Sequence, residues 1–299
     1  MNEVRKLLES RHPGLHARVE RTLVESEARY NSKAQQAPSE FLWEHTQHTA
    51  AIAHTLAMRE GVDPFLVVLV ALFHDAGKFH DGGYHQDDVP EEEHAARLAQ
   101  AMLAEHGVAH VDVEAVTEGL RGLYDDRRRS AGPGRIVQDA DRLDKLGALG
   151  VGAFFTKATL RGRGLVDALA HTLSRELTYA LAAPRSMLTE AGRKLAREQS
   201  ARTVAFFDDL LAELESCGIA AFERRTLVLE GDFRNRDGEP VPKMEVTIVT
   251  PRACPECEGT IGLSHRRERG LKCETLKARF ACRSCDHARE IAFCLPVFA

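Results

Sequence analysis

The chain has 299 residues, of which 43% are hydrophobic and 28% are charged, and its formal net charge is −5. This length and composition predict a globular protein of two folding units and exclude the strong overall basic field of a general nucleic-acid binder. The longest apolar run, FLVVLVALF, is about half as long as a bilayer span. The stretch MNEVRKLLESRHPGLH predicts no signal peptide, so we expect a cytoplasmic protein without a membrane partner.

The first 216 residues have the periodicity of helices. Apolar residues recur at spacings of three and four in VRKLLES, EHTQHTAAIAHTLA, AARLAQAMLAEH, DALAHTLSRELTYALA and SARTVAFFDDLLAELE. Asp63 before Pro64 predicts an N-cap and the first residue of a further helix. We therefore predict a mainly α fold, with an all-helical domain over residues 1–216.

The chain changes character after Cys217. TLVLEGDF and KMEVTIVT are rich in β-branched residues and are separated by the turn-forming NRDGEP, so they predict a hairpin or two strands. This short β connection covers residues 217–251. All seven cysteines lie at or beyond Cys217, which fits a reducing compartment in which thiols serve a local purpose.

Two strong metal-ligand types stand side by side where the helix that begins at Pro64 ends, in LFHDAGKF. A buried imidazole next to a carboxylate, here His74 and Asp75, leaves a charge that a divalent metal can compensate. His45 lies on the packed face of another helix, and the acidic segment RIVQDADRLDKLGALG places Asp139, Asp141 and Asp144 on a third helix. This mixed nitrogen and oxygen set suits Mn, Fe, Co, Ni, Zn or Mg.

The segments WEH, HDAGK and QDADRLD, in that order, resemble the HD superfamily of metal-dependent phosphohydrolases, and in particular its small stand-alone bacterial members. The likeness runs from about Trp43 to Glu215. A divalent ion in such a site keeps positions open for water and for a phosphate oxygen, which implies hydrolysis of a phosphoester or pyrophosphate by metal-activated water. The resemblance implies four ligands of this catalytic metal: His45, His74, Asp75 and Asp141.

Further roles follow from the resemblance. It implies that Lys78 contacts a substrate phosphate, although a solvent-facing lysine at a helix end fits the sequence too. Arg142 either holds phosphate or pairs with Asp139, and Asp75 divides its duty between metal and water. Members with two metals carry additional histidines; His94 falls where one is expected, but VTEGLRGLYDD lacks the other. We therefore predict one metal, with His94 as a substrate contact, an acid or a plain surface residue.

The C-terminal segment carries an independent signal. CPECEG and CRSC form two C-x2-C pairs, the spacing of a tetrahedral structural zinc site. The segments GTIGLSH and LKARFA predict strands on either side of the loop RRERG, and the whole resembles a zinc ribbon over residues 252–299. A closed set of four thiolates stabilises and does not catalyse. The predicted ligands of this zinc are Cys254, Cys257, Cys282 and Cys285.

The sequence thus predicts a metal-dependent phosphohydrolase that acts on a nucleotide or another phosphorylated small molecule. The competing hypothesis is a catalytically weak nucleotide sensor, or a nucleic-acid-binding regulator, whose ribbon contacts a partner. The ribbon itself could be a lid, a docking or dimerisation module, a nucleic-acid contact through SHRRERGLK, or a shield for the helical domain.

Overall fold

A computed structural model describes residues 3–84, 89–123, 132–234, 240–270 and 274–295. It divides the chain into two compact units, Met1–Asp144 with Met187–Leu195 and Lys145–Ser186 with Ala196–Ala299. Helices make up most of the described residues, and the strands all follow residue 221. The predicted mainly α fold class is confirmed.

The first unit is helical. It contains α1 (Glu3–Arg11), α2 (Leu15–Lys33), α3 (Phe41–Glu60), α4 (Pro64–Phe73), a 3-10 turn (His80–Gly82), α5 (Glu91–Glu105), α6 (His110–Arg121) and α7 (Pro133–Leu143). The start of α10 (Glu190–Ser216) also belongs to this unit.

Helix α4 is the central helix of the first unit. Its predicted N-cap is confirmed, since Asp63 accepts a hydrogen bond from the backbone N–H of Phe65 at 3.0 Å and Pro64 occupies the first turn. Nearly every residue of α4 is buried, and the helix packs against α3, α6 and α7. Its last turn therefore delivers His74 into the interior of the unit, between α3 and α7.

The second unit combines helices with two small sheets. Its helices are α8 (Gly147–Leu160), α9 (Leu165–Ser186) and the rest of α10, and its first sheet pairs β1 (Phe222–Arg234) with β2 (Pro240–Pro251) in antiparallel register. The predicted strand segments lie in β1 and β2. The hydroxyl groups of Ser174 and Thr178 on α9 each bond both the N–H and the C=O of a β2 residue, so α9 satisfies an edge that would otherwise be open.

The second sheet has the order β3 (Ile261–Arg269), β4 (Glu274–Cys282) and β5 (Ala288–Cys294). It shares one hydrophobic core with the β1–β2 hairpin. The predicted loop RRERG is wrong, because β3 continues through Arg269. Cross-strand ion pairs hold this extension to β4, among them Lys277 with Glu268 at 2.7 Å and Arg267 with Glu274 at 3.3 Å.

Domain boundaries at 216/217 and 251/252 stay a prediction. The compact units follow packing instead, and packing groups α8 and α9 with the strands. Within the described ranges, no helix combines the length and apolar character that crossing a membrane requires.

Candidate metal centre

Three helices of the first unit bring the predicted ligands together. His45 comes from α3, His74 and Asp75 from the end of α4, and Asp141 from α7, and all four are buried. The Nε2 atoms of His45 and His74 lie 3.2 Å apart, and His45 Nε2 lies 3.2 Å from Asp141 Oδ1 and 3.5 Å from Asp75 Oδ2. We call His45, His74, Asp75 and Asp141 the HD centre.

The partners of the two imidazoles fix which nitrogen faces the centre. His45 Nδ1 lies 2.7 Å from a carboxylate oxygen of Asp144, and His74 Nδ1 lies 2.7 Å from the carbonyl oxygen of Ala71. Both oxygens accept, so each Nδ1 donates and each neutral ring turns a lone pair on Nε2 inward. Two lone pairs at 3.2 Å repel each other unless a cation lies between them.

The distances in the HD centre fit a divalent ion. With bonds of about 2.1 Å, adjacent ligands of an octahedral ion lie about 3.0 Å apart and opposite ligands about 4.2 Å apart. The 3.2 Å separations of His45 Nε2 agree with the first value, and the 4.0 Å between His74 Nε2 and Asp141 Oδ1 agrees with the second. One atom each from His45, His74 and Asp141 falls within 4.8 Å of the others.

The charges of the metal-free centre differ sharply between the two histidines. Burial alone would lower the pKa of His45, but its hydrogen bonds with Asp141 and Asp144 raise that pKa to about 9. Burial lowers the pKa of His74, which stays neutral. In the metal-free protein a proton on His45 Nε2 therefore supplies the cation between the rings, and a metal has to displace it.

Asp75 and Lys78 form a close pair at the edge of the HD centre. Lys78 Nζ lies 2.6 Å from Asp75 Oδ2. Burial opposes ionisation of Asp75, but this ammonium holds the pKa of Asp75 well below its ordinary range, and Asp75 in turn raises the pKa of Lys78. Lys78 is thus a charged partner of the centre and not a free surface lysine; its contact with phosphate stays a prediction.

The three aspartates of QDADRLD have three different surroundings. Asp139 accepts hydrogen bonds from Leu188 N, Thr189 N and Thr189 Oγ1 at 2.7–2.8 Å, so it fixes the segment that precedes α10. Asp141 faces the two histidines, whereas Asp144 orients His45. The role of Asp144 was missed from the sequence. Its position three residues after Asp141, on the same side of the helix, is the signal that could have indicated it.

The two remaining predicted site residues, His94 and Arg142, lie outside the HD centre. His94 on α5 stacks on His80, with ring centroids 3.8 Å apart, and sits against the turn after His74, where a Cβ on Gly77 would lie 2.9 Å from His94 Cβ. Arg142 lies close enough to Asp139 to oppose the rise in pKa that burial causes there. Roles for His94 and Arg142 at the phosphate stay predictions.

The four predicted cysteines converge in the second unit. Cys257 Sγ lies 3.4 Å from Cys285 Sγ and 3.5 Å from Cys282 Sγ, and Cys254 Sγ lies 3.7 Å from Cys285 Sγ. Zinc with bonds of about 2.3 Å places its sulfurs about 3.8 Å apart, so this four-cysteine site fits a structural zinc. The N–H of Ser284 lowers the pKa of Cys282 to about 6, which favours the thiolate.

Comparisons with known proteins agree with this architecture. Residues 42–146 match the family model of the HD domain. The uncharacterized protein YpgQ of Bacillus subtilis strain 168 is 29% identical over 171 residues, which cover 52% of this chain and 76% of YpgQ. A crystal structure described as a predicted HD superfamily hydrolase, from an uncultured Thermotogales bacterium, is 25% identical with a TM-score of 0.51, over 71% of this chain and 99% of the other.

A crystal structure of YpgQ in complex with ADP is 26% identical with a TM-score of 0.45, over 57% of this chain and 88% of the other. Residues 42–146 thus match an HD domain, and the chain is similar in fold to a hydrolase of the HD superfamily. The HD domain implies a divalent metal, and the four-cysteine site is compatible with a zinc ribbon.

Proposed function

We propose that this chain is a metal-dependent phosphohydrolase that cleaves a phosphoester or pyrophosphate bond of a nucleotide or related molecule. The observation that carries the proposal is the pair of inward-facing Nε2 atoms of His45 and His74, 3.2 Å apart and fixed by Asp144 and Ala71. A buried site prepared for a divalent cation, in a chain with a hydrolase fold, supports hydrolysis of a charged substrate.

The residues of the HD centre divide the work. His45, His74, Asp75 and Asp141 would hold the ion. When bound, such an ion lowers the pKa of a coordinated water and stabilises charge that develops on a phosphate oxygen. Lys78 begins paired with Asp75, and 29% of its side chain is exposed, so it can turn its ammonium towards a phosphate that enters from solvent. Asp75, released from Lys78 by that move, is placed to orient the water.

A nucleotide is the proposed substrate because the resemblance of WEH, HDAGK and QDADRLD to the small bacterial HD phosphohydrolases implies one. The leaving group and the preferred metal define the enzyme further. Both follow from one assay, in which phosphate and pyrophosphate release are measured from ribo- and deoxynucleoside mono-, di- and triphosphates with Mn²⁺, Co²⁺, Ni²⁺ or Mg²⁺.

The informative variant is His74→Ala/Asp75→Ala, which removes two members of the HD centre. Its matched control is His110→Ala/Asp112→Ala, which changes the same residue types on α6, where the side chain of His110 is 85% exposed. We expect release that the first variant abolishes and the control retains. No release above the first variant, from folded wild-type protein with metal in both sites, contradicts nucleotide hydrolysis and favours a nucleic-acid substrate or a ligand sensor.

A further inference from the structure

Asp144 faces two histidines of α3, and only one of them belongs to the HD centre. Its Oδ2 atom lies 2.7 Å from His45 Nδ1, and its Oδ1 atom lies 3.3 Å from His48 Nδ1. His45 and His48 are three residues apart on the helix, so both rings leave α3 on the side that faces Asp144. One buried carboxylate thus connects a predicted metal ligand to a second histidine outside the HD centre.

The two oxygens of Asp144 differ in their hydrogen bonding. Oδ2 accepts the N–H of His45, whereas Oδ1 is buried and has no aligned hydrogen bond from any residue that the structure describes. A buried carboxylate oxygen without a donor is costly in free energy, because it has lost the water that would solvate it. His48 Nδ1 is within donor reach of this oxygen, and the exposed part of the His48 side chain gives the ring room to align its N–H with Oδ1.

A surface histidine that lies by chance near an acid is the simpler explanation of this contact. Pairs of that kind are solvated on both sides and contribute little to stability. Here the two partners differ, since 47% of the His48 side chain is exposed but only 5% of the Asp144 side chain. The oxygen of Asp144 therefore depends on a donor from the protein, which an exposed carboxylate would not need.

We propose that His48 is a positioning residue of the HD centre, which donates from Nδ1 to Asp144 Oδ1 and so fixes the carboxylate that orients His45. Donors on both oxygens of a carboxylate determine its plane, whereas one donor restricts its rotation less. With the plane fixed, Oδ2 stays in line with the Nδ1–H of His45, and the Nε2 lone pair of His45 stays directed into the centre. The proposal rests on the metal that the proposed function requires, but not on turnover of a substrate.

Calorimetric titration of Mn²⁺ into the metal-depleted full-length chain tests this role. His48→Leu removes the donor, and we expect the Mn²⁺ affinity to fall about three- to tenfold, as for the loss of one hydrogen bond. His48→Asn keeps an N–H donor close to the position of Nδ1, so it should restore the affinity to within about twofold of wild type. The matched control is His54→Leu, which changes a half-buried histidine of the same helix and should leave the affinity unchanged.

A double-mutant cycle supplies a readout that a merely structural role of His48 would not move. Because His48 acts through Asp144, His48→Leu should cause no further loss of Mn²⁺ affinity in a chain that already carries Asp144→Ala. An equal loss in both backgrounds overturns the proposal, since His48 would then act independently of Asp144.

The remaining outcomes separate this proposal from the proposed function. Unchanged affinity in His48→Leu, or no recovery in His48→Asn, overturns the positioning role and leaves the metal centre intact. Absence of Mn²⁺ binding by the folded wild-type chain overturns the metal centre itself, and with it both proposals.

Discussion

The HD centre and the four-cysteine site both gather metal ligands, yet they are built in opposite ways. The cysteines come from two short turns, and Cys254 and Cys285 are 31 residues apart. The HD centre depends on packed helices, and its histidine–carboxylate contact between His45 and Asp144 joins residues 99 apart. Short turns specify their ligands locally, whereas a site between helices needs the fold and needs side chains that orient the ligands.

The largest expected effect on metal binding is at the four-cysteine site. Cys257→Ser should remove one zinc per chain, because a structural zinc site contributes on the order of 10 kcal/mol or more and tolerates the loss of a thiolate poorly. The exposed Cys217→Ser is the matched control and should retain the zinc. Metal analysis by mass spectrometry measures the zinc content of both variants. Limited proteolysis tests whether β3, β4 and β5 stay folded in each of them. Loss of the HD-centre ion in the same variant would break the comparison, since the two sites should bind independently.

The next effect concerns the side chain that orients His45. Asp144→Asn keeps the shape of the residue but weakens the acceptor for His45 Nδ1, and such changes typically cost about 10- to 100-fold in metal affinity. Titration of Mn²⁺ into the metal-depleted protein measures this loss of affinity. Because Asp144 is not itself among the ligands, an unchanged affinity would mean that the packing of α3 alone orients the ring.

The sequence predicted those parts of the two sites whose residues lie close together in the chain. His74 and Asp75 are adjacent in the chain, the cysteines come in pairs with fixed spacing, and Asp63–Pro64 is a local capping signal. Asp144 was not predicted as the partner of His45, because that contact exists only after α3 and α7 pack. The pairing of Ser174 and Thr178 with β2 was missed for the same reason, since hydroxyl groups on a helix face carry no sign of the strand they will meet.

The roles of the neighbouring aspartates also depend on contacts that are distant in the chain. The sequence offered Asp139, Asp141 and Asp144 as one acidic cluster, and the resemblance to HD proteins selected Asp141. The bonds of Asp139 to Thr189 cross 50 residues, so nothing near Asp139 in the chain could indicate them. The loop prediction at RRERG was wrong because a run of charges usually indicates a solvated turn, while here Glu274 on β4 and Glu290 on β5 pair with those arginines.

A third prediction uses the proton that the metal displaces. His45 has its pKa raised to about 9, so below that pH binding of a metal must release a proton, and the apparent affinity should rise about tenfold per pH unit between about 7 and 8.5. The stability of the metal-free protein depends on pH in the opposite direction. The protonated imidazole stabilises the metal-free fold fully below about pH 6.5, and this stabilisation is lost as the pH rises through 9.

Calorimetric titration of Mn²⁺ in buffers of different ionisation enthalpy measures both the affinity and the protons released. A pH-independent affinity with no proton release would show that His45 is neutral before the metal arrives. Asp144→Asn sharpens this test, because it weakens one of the two hydrogen bonds that raise the pKa of His45 and should therefore flatten the pH dependence.

The smallest expected effect on metal affinity comes from a change at Asp139, two residues before Asp141. Asp139→Asn can no longer accept all three hydrogen bonds from Leu188 and Thr189, so the free energy of unfolding should fall by about 1–3 kcal/mol. Metal affinity should stay within about twofold, since Asp139 bonds the segment before α10 and not the histidines. Chemical denaturation and Mn²⁺ titration on the same sample separate the two quantities. A variant of normal stability with weakened metal binding would reverse the roles of Asp139 and Asp141, and the HD centre would then be built on a different face of α7.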